Sequence, residues 1–160
     1  MPGIPDVYQG TELYDYSLVD PDNRRPVDFE LRRQLLAGFD AANDETDAPP
    51  LEQAGAAKLW LTSRVLRERR AHPERFGSYT ALTVSGPAAE HAVAFDRGGA
   101  VAVATRLPVG LQRAGGWQDT VLELGRGRYL DQLTGEQHEG RVEVARLLRR
   151  YPVAFLTRTD

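Results

Sequence analysis

The chain has 160 residues, 41% of them apolar and 27% charged, which is the profile of a globular chain long enough to bury a core and not of a disordered or membrane-embedded one. Its net charge of −3 supplies no overall positive field for nucleic acid, and no apolar run approaches the ~20 residues of a spanning helix, so neither nucleic acid nor a membrane is expected as a partner. The absence of cysteine removes disulfides and thiolate metal sites, and the N-terminus lacks the basic-then-apolar order of a secretory signal, so a cytoplasmic location is expected.

The first recognisable stretch is "GIPDVYQGTEL", Gly3 to Leu13, which reads as one short strand. The loop "SLVDPDNRRPVDF", Ser17 to Phe29, follows and carries three aspartates, two adjacent arginines and two prolines between regular-looking segments. A plain surface loop has no need of so many rigid and paired groups; this one is built to hold something. Asp28 can then cap a helix in which Leu31, Leu35, Leu36 and Phe39 mark one buried stripe. Residues 40–53, "DAANDETDAPPLEQ", lose all periodicity and predict an acidic, mobile loop. A second helix is predicted over residues 54–71, with Leu59, Leu61, Val65 and Leu66 on a broad apolar face. Arg64, Arg67, Arg69 and Arg70 gather towards its end, where cations suit the helix dipole, and Pro73 stops it at His72. Arginine is abundant beside a single lysine, Lys58, a composition bias and not a binding signal.

After Gly77 the pattern changes to short runs rich in Val, Tyr, Phe, Leu and Thr: "SYTALTVSG", "HAVAFDRGG", "AVAVATRL", "DTVLELG", "GRYLDQLTG" and "PVAFLTR". Punctuated by glycine, they predict an antiparallel β-sandwich, with a hairpin turn at Asp96-Arg97-Gly98-Gly99. The second half can form its own core. The first half, with one strand and two helices, leaves apolar faces uncovered.

Side chains that could carry chemistry are few. His72, His91 and His138 are scattered without ligand spacing, so no metal is expected, and no glycine loop resembles a phosphate cradle, so no cofactor is expected either. Glu12 reads as a glutamate bonded to its neighbours, Trp60 as core, and Trp117, preceded by two glycines, as either core or an exposed aromatic surface. A loop aspartate beside an arginine, such as Asp20 with Arg24, is commonly an ion pair and nothing more.

The residues carry a family resemblance. "GIPDVYQGTEL" resembles the last barrel strand of the alpha-amylase superfamily, with its Gly-x-Pro-x-x-Tyr-x-Gly-x-Glu pattern, and "DPDNRRP" resembles the loop those enzymes place over the sugar. In combination with "KLWLTSRVLRERRAHPERF", "GWQDTVLEL" and "RRYPVAFL", the chain looks most like the maltooligosyl trehalose synthases, over nearly its whole length but only their C-terminal portion. The resemblance implies an α+β fragment: residues 1–76 as the last strand, sugar loop and helices of a (β/α)8 catalytic barrel, and residues 77–160 as an antiparallel β-sandwich domain. It implies an isomerase acting on α-1,4-glucan in trehalose formation, with Asp20 and Arg24 contacting substrate and the remainder of the barrel as partner. The family's aspartate nucleophile, glutamate acid/base and assisting aspartate sit on the fourth, fifth and seventh strands, so no catalytic residue is expected in this chain. Another glucan hydrolase or transglycosylase, or a non-catalytic carbohydrate-binding or scaffold domain, remain as alternatives.

Overall fold

The computed structural model describes residues 8–17, 24–41, 48–53 and 55–159. Helix α1 spans Phe29–Ala41, and its start is set as the sequence predicts: an Asp28 carboxylate oxygen accepts the Leu31 N–H at 2.8 Å. Helix α2 spans Ala56–Ala71 and ends at His72, whose φ of −132° and ψ of 62° leave helical geometry just before Pro73. A short 3-10 turn at Pro73–Phe76 then leads into the strands.

The second half holds β1 (Thr80–Ala81), β2 (Val84–Ser85), β3 (Ala92–Asp96), β4 (Ala100–Thr105), a short α3 (Pro108–Arg113), β5 (Val121–Asp131), β6 (Gln137–Glu143), a single turn α4 (Val144–Leu147) and β7 (Val153–Arg158). All pairings are antiparallel, in the order β1-β3-β4-β7-β5-β2, and β6 joins the sheet on β5. The predicted hairpin joins β3 to β4, where one Asp96 carboxylate oxygen accepts the N–H groups of Gly98 and Gly99 at 2.8 and 2.7 Å.

Two expectations change form. The runs "DTVLELG" and "GRYLDQLTG" are one eleven-residue strand, β5, whose register against β6 jumps between Glu123 and Arg128. Gly127 at φ 108° makes that bulge possible, and the strand's first part pairs with β2 while its last part pairs with β7. The expected sandwich is therefore one continuous sheet curled over its own core. The curl brings the Leu82 N–H to the Ala94 carbonyl at 3.0 Å and the Glu123 N–H to the Thr83 carbonyl at 3.1 Å. Val101, Val103, Leu122, Tyr129, Val144 and Leu156 fill the interior, with Trp117 packed against them, so Trp117 belongs to the core side. The second change is β6, which sequence reading passes over: "QHEGRVE" buries only His138 and Val142.

A second apolar cluster lies between the helices and the sheet, joining Ala57 and Trp60 to Ala100, Leu133, Tyr151 and Phe155, with Phe39, Leu61 and Val65 packed against it. Trp60 is 2% exposed, and its indole N–H donates to the Leu133 carbonyl at 3.3 Å. α1 fares differently. None of its residues is fully buried: Leu31 is 43% exposed while Leu35, Leu36 and Phe39 are half-buried, so the stripe predicted as buried is only partly covered, with Phe39 meeting the Trp60 ring edge-on at 5.2 Å. The described part of "GIPDVYQGTEL", from Tyr8 on, is turn and irregular chain without a strand; residues 1–7, like the acidic residues 42–47, lie outside the described residues. No described helix is long and apolar enough to cross a membrane.

Candidate functional site

Two stretches that are distant in sequence, 10–17 and 25–32, meet and form a polar cleft of about 380 Å3, within the ~300–1,000 Å3 typical of ligand sites. Arg32, on the first turn of α1, holds them together. Its guanidinium donates to a Glu12 carboxylate oxygen at 2.9 Å, to the Gly10 carbonyl at 2.6 Å and to the Asp28 carbonyl at 2.9 Å. Glu12 in turn accepts the Gly10 N–H with both oxygens, at 3.1 and 3.0 Å. Burial pushes the Glu12 carboxyl up, but the backbone N–H groups of Glu12 and Gly10 and the Arg32 guanidinium outweigh it, and its pKa falls below the ordinary range. This is the bonded glutamate that the sequence predicts. Gly10, at φ 93°, packs against Val27 so closely that a Cβ would meet a Val27 methyl at 2.9 Å, which closes the floor of the turn.

The walls of the cleft are Tyr14, Asp15, Tyr16 and Ser17 on one side and Arg25, Pro26 and Asp28 on the other. Asp15 accepts the Ser17 N–H at 2.9 Å, and hydrogen bonds from Ser17, hydroxyl first and then backbone, hold its carboxyl below the ordinary range, with Arg25 adding attraction. The tyrosine rings lie 6.1 Å apart and tilted by 41°, and both are solvent-exposed, Tyr16 by 85%.

Of the two predicted substrate residues, Arg24 lies on the surface at the start of the described segment, next in sequence to Arg25 in the cleft wall. Asp20 lies outside the described residues. Neither Arg25 nor Asp15, Tyr14 and Tyr16 is singled out by the sequence. The signal that could have found them is the short "YDY" run, two aromatics flanking a carboxylate immediately before the Asp/Arg loop.

Several other polar groups lie in the fold away from the cleft. His138 is buried on β6, and burial lowers its pKa from 6.5. Asp131 is buried at the end of β5, where it accepts the Leu133 N–H at 3.0 Å and the Thr134 hydroxyl at 2.8 Å; burial nonetheless raises its pKa. Arg67 grips the carboxylate of Asp40 with two nitrogens, tying α2 to the end of α1. Among the described residues no group of three or more histidine and carboxylate side chains is placed to hold a metal.

No family model matches the chain. It is 44% identical over its whole length to a Mycobacterium tuberculosis protein that bears the name maltooligosyl trehalose synthase, and covers 19% of that relative. It superposes on the structure of maltooligosyltrehalose synthase from Arthrobacter ramosus with a TM-score of 0.92 at 52% identity, covering 99% of this chain and 20% of that one. A further solved maltooligosyl trehalose synthase gives a TM-score of 0.65 at 29% identity, over 98% of this chain and again 20% of that one. The chain thus spans about a fifth of the length of the relatives it matches. Along its whole length it is similar to maltooligosyl trehalose synthase, and what it matches is the C-terminal portion of that enzyme.

Proposed function

We propose that this chain acts as the C-terminal portion of a maltooligosyl trehalose synthase, an isomerase that converts the reducing-end α-1,4 linkage of a maltooligosaccharide into the α,α-1,1 linkage of trehalose. In this reading residues 1–76 complete a (β/α)8 barrel with its last strand, sugar loop and helices, and residues 77–160 form the β domain that supports them. The observation that carries it is the 44% identity along the entire chain to a relative five times longer.

Such an isomerisation proceeds through retaining glycosidase chemistry, with one carboxylate attacking the anomeric carbon and a second carboxyl giving up and recovering a proton, about 5 Å from the first. Those carboxyls belong to the part of the enzyme this chain does not cover. Its contribution is positional: the freed glucose must stay in place and water must stay out for rejoining to beat hydrolysis. Asp20 accepts hydrogen bonds from sugar hydroxyls, and Arg24 donates several in a planar fork, so together they fix one glucose unit in orientation. Pro21 and Pro26 restrict the loop that carries them, which lowers the entropy lost on binding.

The test is product analysis with maltopentaose. A polypeptide joining this sequence to the preceding barrel is expected to yield a non-reducing isomer of the same mass, and the 160-residue chain alone to yield none. Free glucose as the main product would assign the chain to a hydrolase instead, and turnover by the isolated chain would overturn the placement of the reacting carboxyls outside it.

A further inference from the structure

We infer that the outer face of β3 and β4 seats a second helix beside α2, supplied by the part of the longer polypeptide that precedes this chain. The inference rests on the reading above, in which the chain is the C-terminal portion of such a polypeptide, and adds the surface through which the two parts meet.

The curled sheet turns Ala94, Val101, Val103, Ala154 and Leu156 towards its own core, so the residues between them face outwards. The register sets these outward residues in two rows across three strands: Phe95, Ala102 and Phe155 in one, Val93, Ala104 and Val153 in the other. A sheet face built for water alternates polar residues into such positions, and this molecule holds an example. On β6 the outward residues include Gln137, Glu139, Arg141 and Glu143, all exposed. On β3 and β4 they are Val93, Phe95, Ala100, Ala102 and Ala104, without one polar side chain.

Part of that apolar face is already covered. Trp60, Leu61 and Val65 of α2 join Phe155, Val153 and Ala100 in the second cluster, and Phe155 is 4% exposed. Towards β3 the cover thins. Val93 is 41% exposed, Phe95, Ala102 and Ala104 are half-buried, and Tyr79, whose ring lies 5.4 Å from that of Phe95, is itself 40% exposed. β3 lies two strand spacings from β7, ~9.5 Å, and packed helices lie ~8–10 Å apart. A helix set next to α2 therefore lands on β3, and the alanines of β4 let it come close.

The size of the patch favours an occupant from the same polypeptide. Phe and Tyr side chains bury at most ~150–250 Å2 each, and Phe95 and Tyr79 are already partly covered. With Val93, Ala102 and Ala104 the patch stays well below the ~800 Å2 a side of a stable complex between separate proteins. A tethered segment needs less, because its effective concentration is on the order of millimolar. In the relatives such a segment has room: this chain matches only their C-terminal fifth.

The chain has no cysteine, so one introduced cysteine reports its own cover. Val93→Cys and, as a control on the solvated face, Arg141→Cys are made in the 160-residue chain and in the polypeptide that joins it to the preceding part, and maleimide labelling of each is followed by peptide mass. In the 160-residue chain the two sites are expected to label at comparable rates. In the longer polypeptide Val93→Cys should label roughly tenfold more slowly while Arg141→Cys keeps its rate. Adding Ala104→Glu, which places a carboxylate in the seat, should restore labelling at position 93 there and leave the Tm of the 160-residue chain unchanged. Equal rates at the two sites in the longer polypeptide, or slow labelling that Ala104→Glu leaves in place, would overturn the inference while the reading of the chain as a C-terminal portion stands. Slowing at position 93 already in the 160-residue chain, growing with its concentration, would assign the face to a second copy and overturn the inference as well. A native polypeptide of only 17.8 kDa would instead remove the reading itself, and the inference with it.

Discussion

Arg32 and Glu12 are the pair on which the candidate cleft depends. Both are mostly covered, and removing the guanidinium strands a carboxylate and two carbonyls, so Arg32→Ala is expected to cost about 1–3 kcal/mol in urea denaturation. Because the Glu12 pKa is depressed on folding, the stability from this pair is present above the ordinary value of 4.5 and lost as pH falls through the lower folded value. Wild type and Arg32→Ala should therefore converge on acidification; a gap that stays constant below pH 4.5 would contradict the assignment. Asp131 has the opposite sign. Burial raises its folded pKa above 3.8, so its ionised form is disfavoured in the fold, and the stability it contributes is complete below that value and declines as pH rises through the folded pKa. Asp131→Asn should gain on wild type as pH increases from 3.8, whereas Asp131→Ala, which strips the acceptors from Leu133 and Thr134, should be less stable at every pH. At this scale the sequence is legible wherever a side chain acts on its own neighbours, as Asp28 and Asp96 do. The cleft was not, because its two walls, residues 10–17 and 25–32, meet only where α1 returns Arg32 to Gly10.

Among the elements, α2 fastens the helices to the sheet. Its fastening is Trp60, which meets Phe39 from α1, stacks under the Arg64 guanidinium at 4.0 Å and donates to Leu133 in the turn beyond β5. Trp60→Ala is expected to cost about 3–5 kcal/mol in thermal or urea unfolding, and Trp60→Phe clearly less, since it keeps the ring but loses the N–H. Equal losses for the two would mean that the hydrogen bond, not the packing, carries the contact. Both helices and the runs behind β3, β4 and β7 could be read from the sequence because their apolar spacing persists over several residues. β6 could not. Its charged and glycine positions mask an alternation that has only His138 and Val142 on the inner face, and its existence follows from β5 lying beside it. The fusion of two predicted runs into β5 was equally hidden, since glycines that read as turn residues here sit in a bulge.

For the molecule as a whole, the two halves differ in how fully they are enclosed. The curled sheet surrounds its own core, whereas Phe29 and Leu31 on α1 and Tyr14 and Tyr16 on the cleft remain exposed, and an apolar crevice of about 190 Å3 opens beside Trp60, Leu51 and Tyr151. That asymmetry agrees with a chain matching one fifth of a longer enzyme, whose other parts would cover these faces. The central claim is that this sequence works within such a longer polypeptide, and the direct measurement is the intact mass of the native protein captured from its host by an antibody against residues 77–160. The account predicts a mass several times the 17.8 kDa of this chain. A native mass near 17.8 kDa would contradict it, and the cleft would then have to be read as the binding site of a small stand-alone protein.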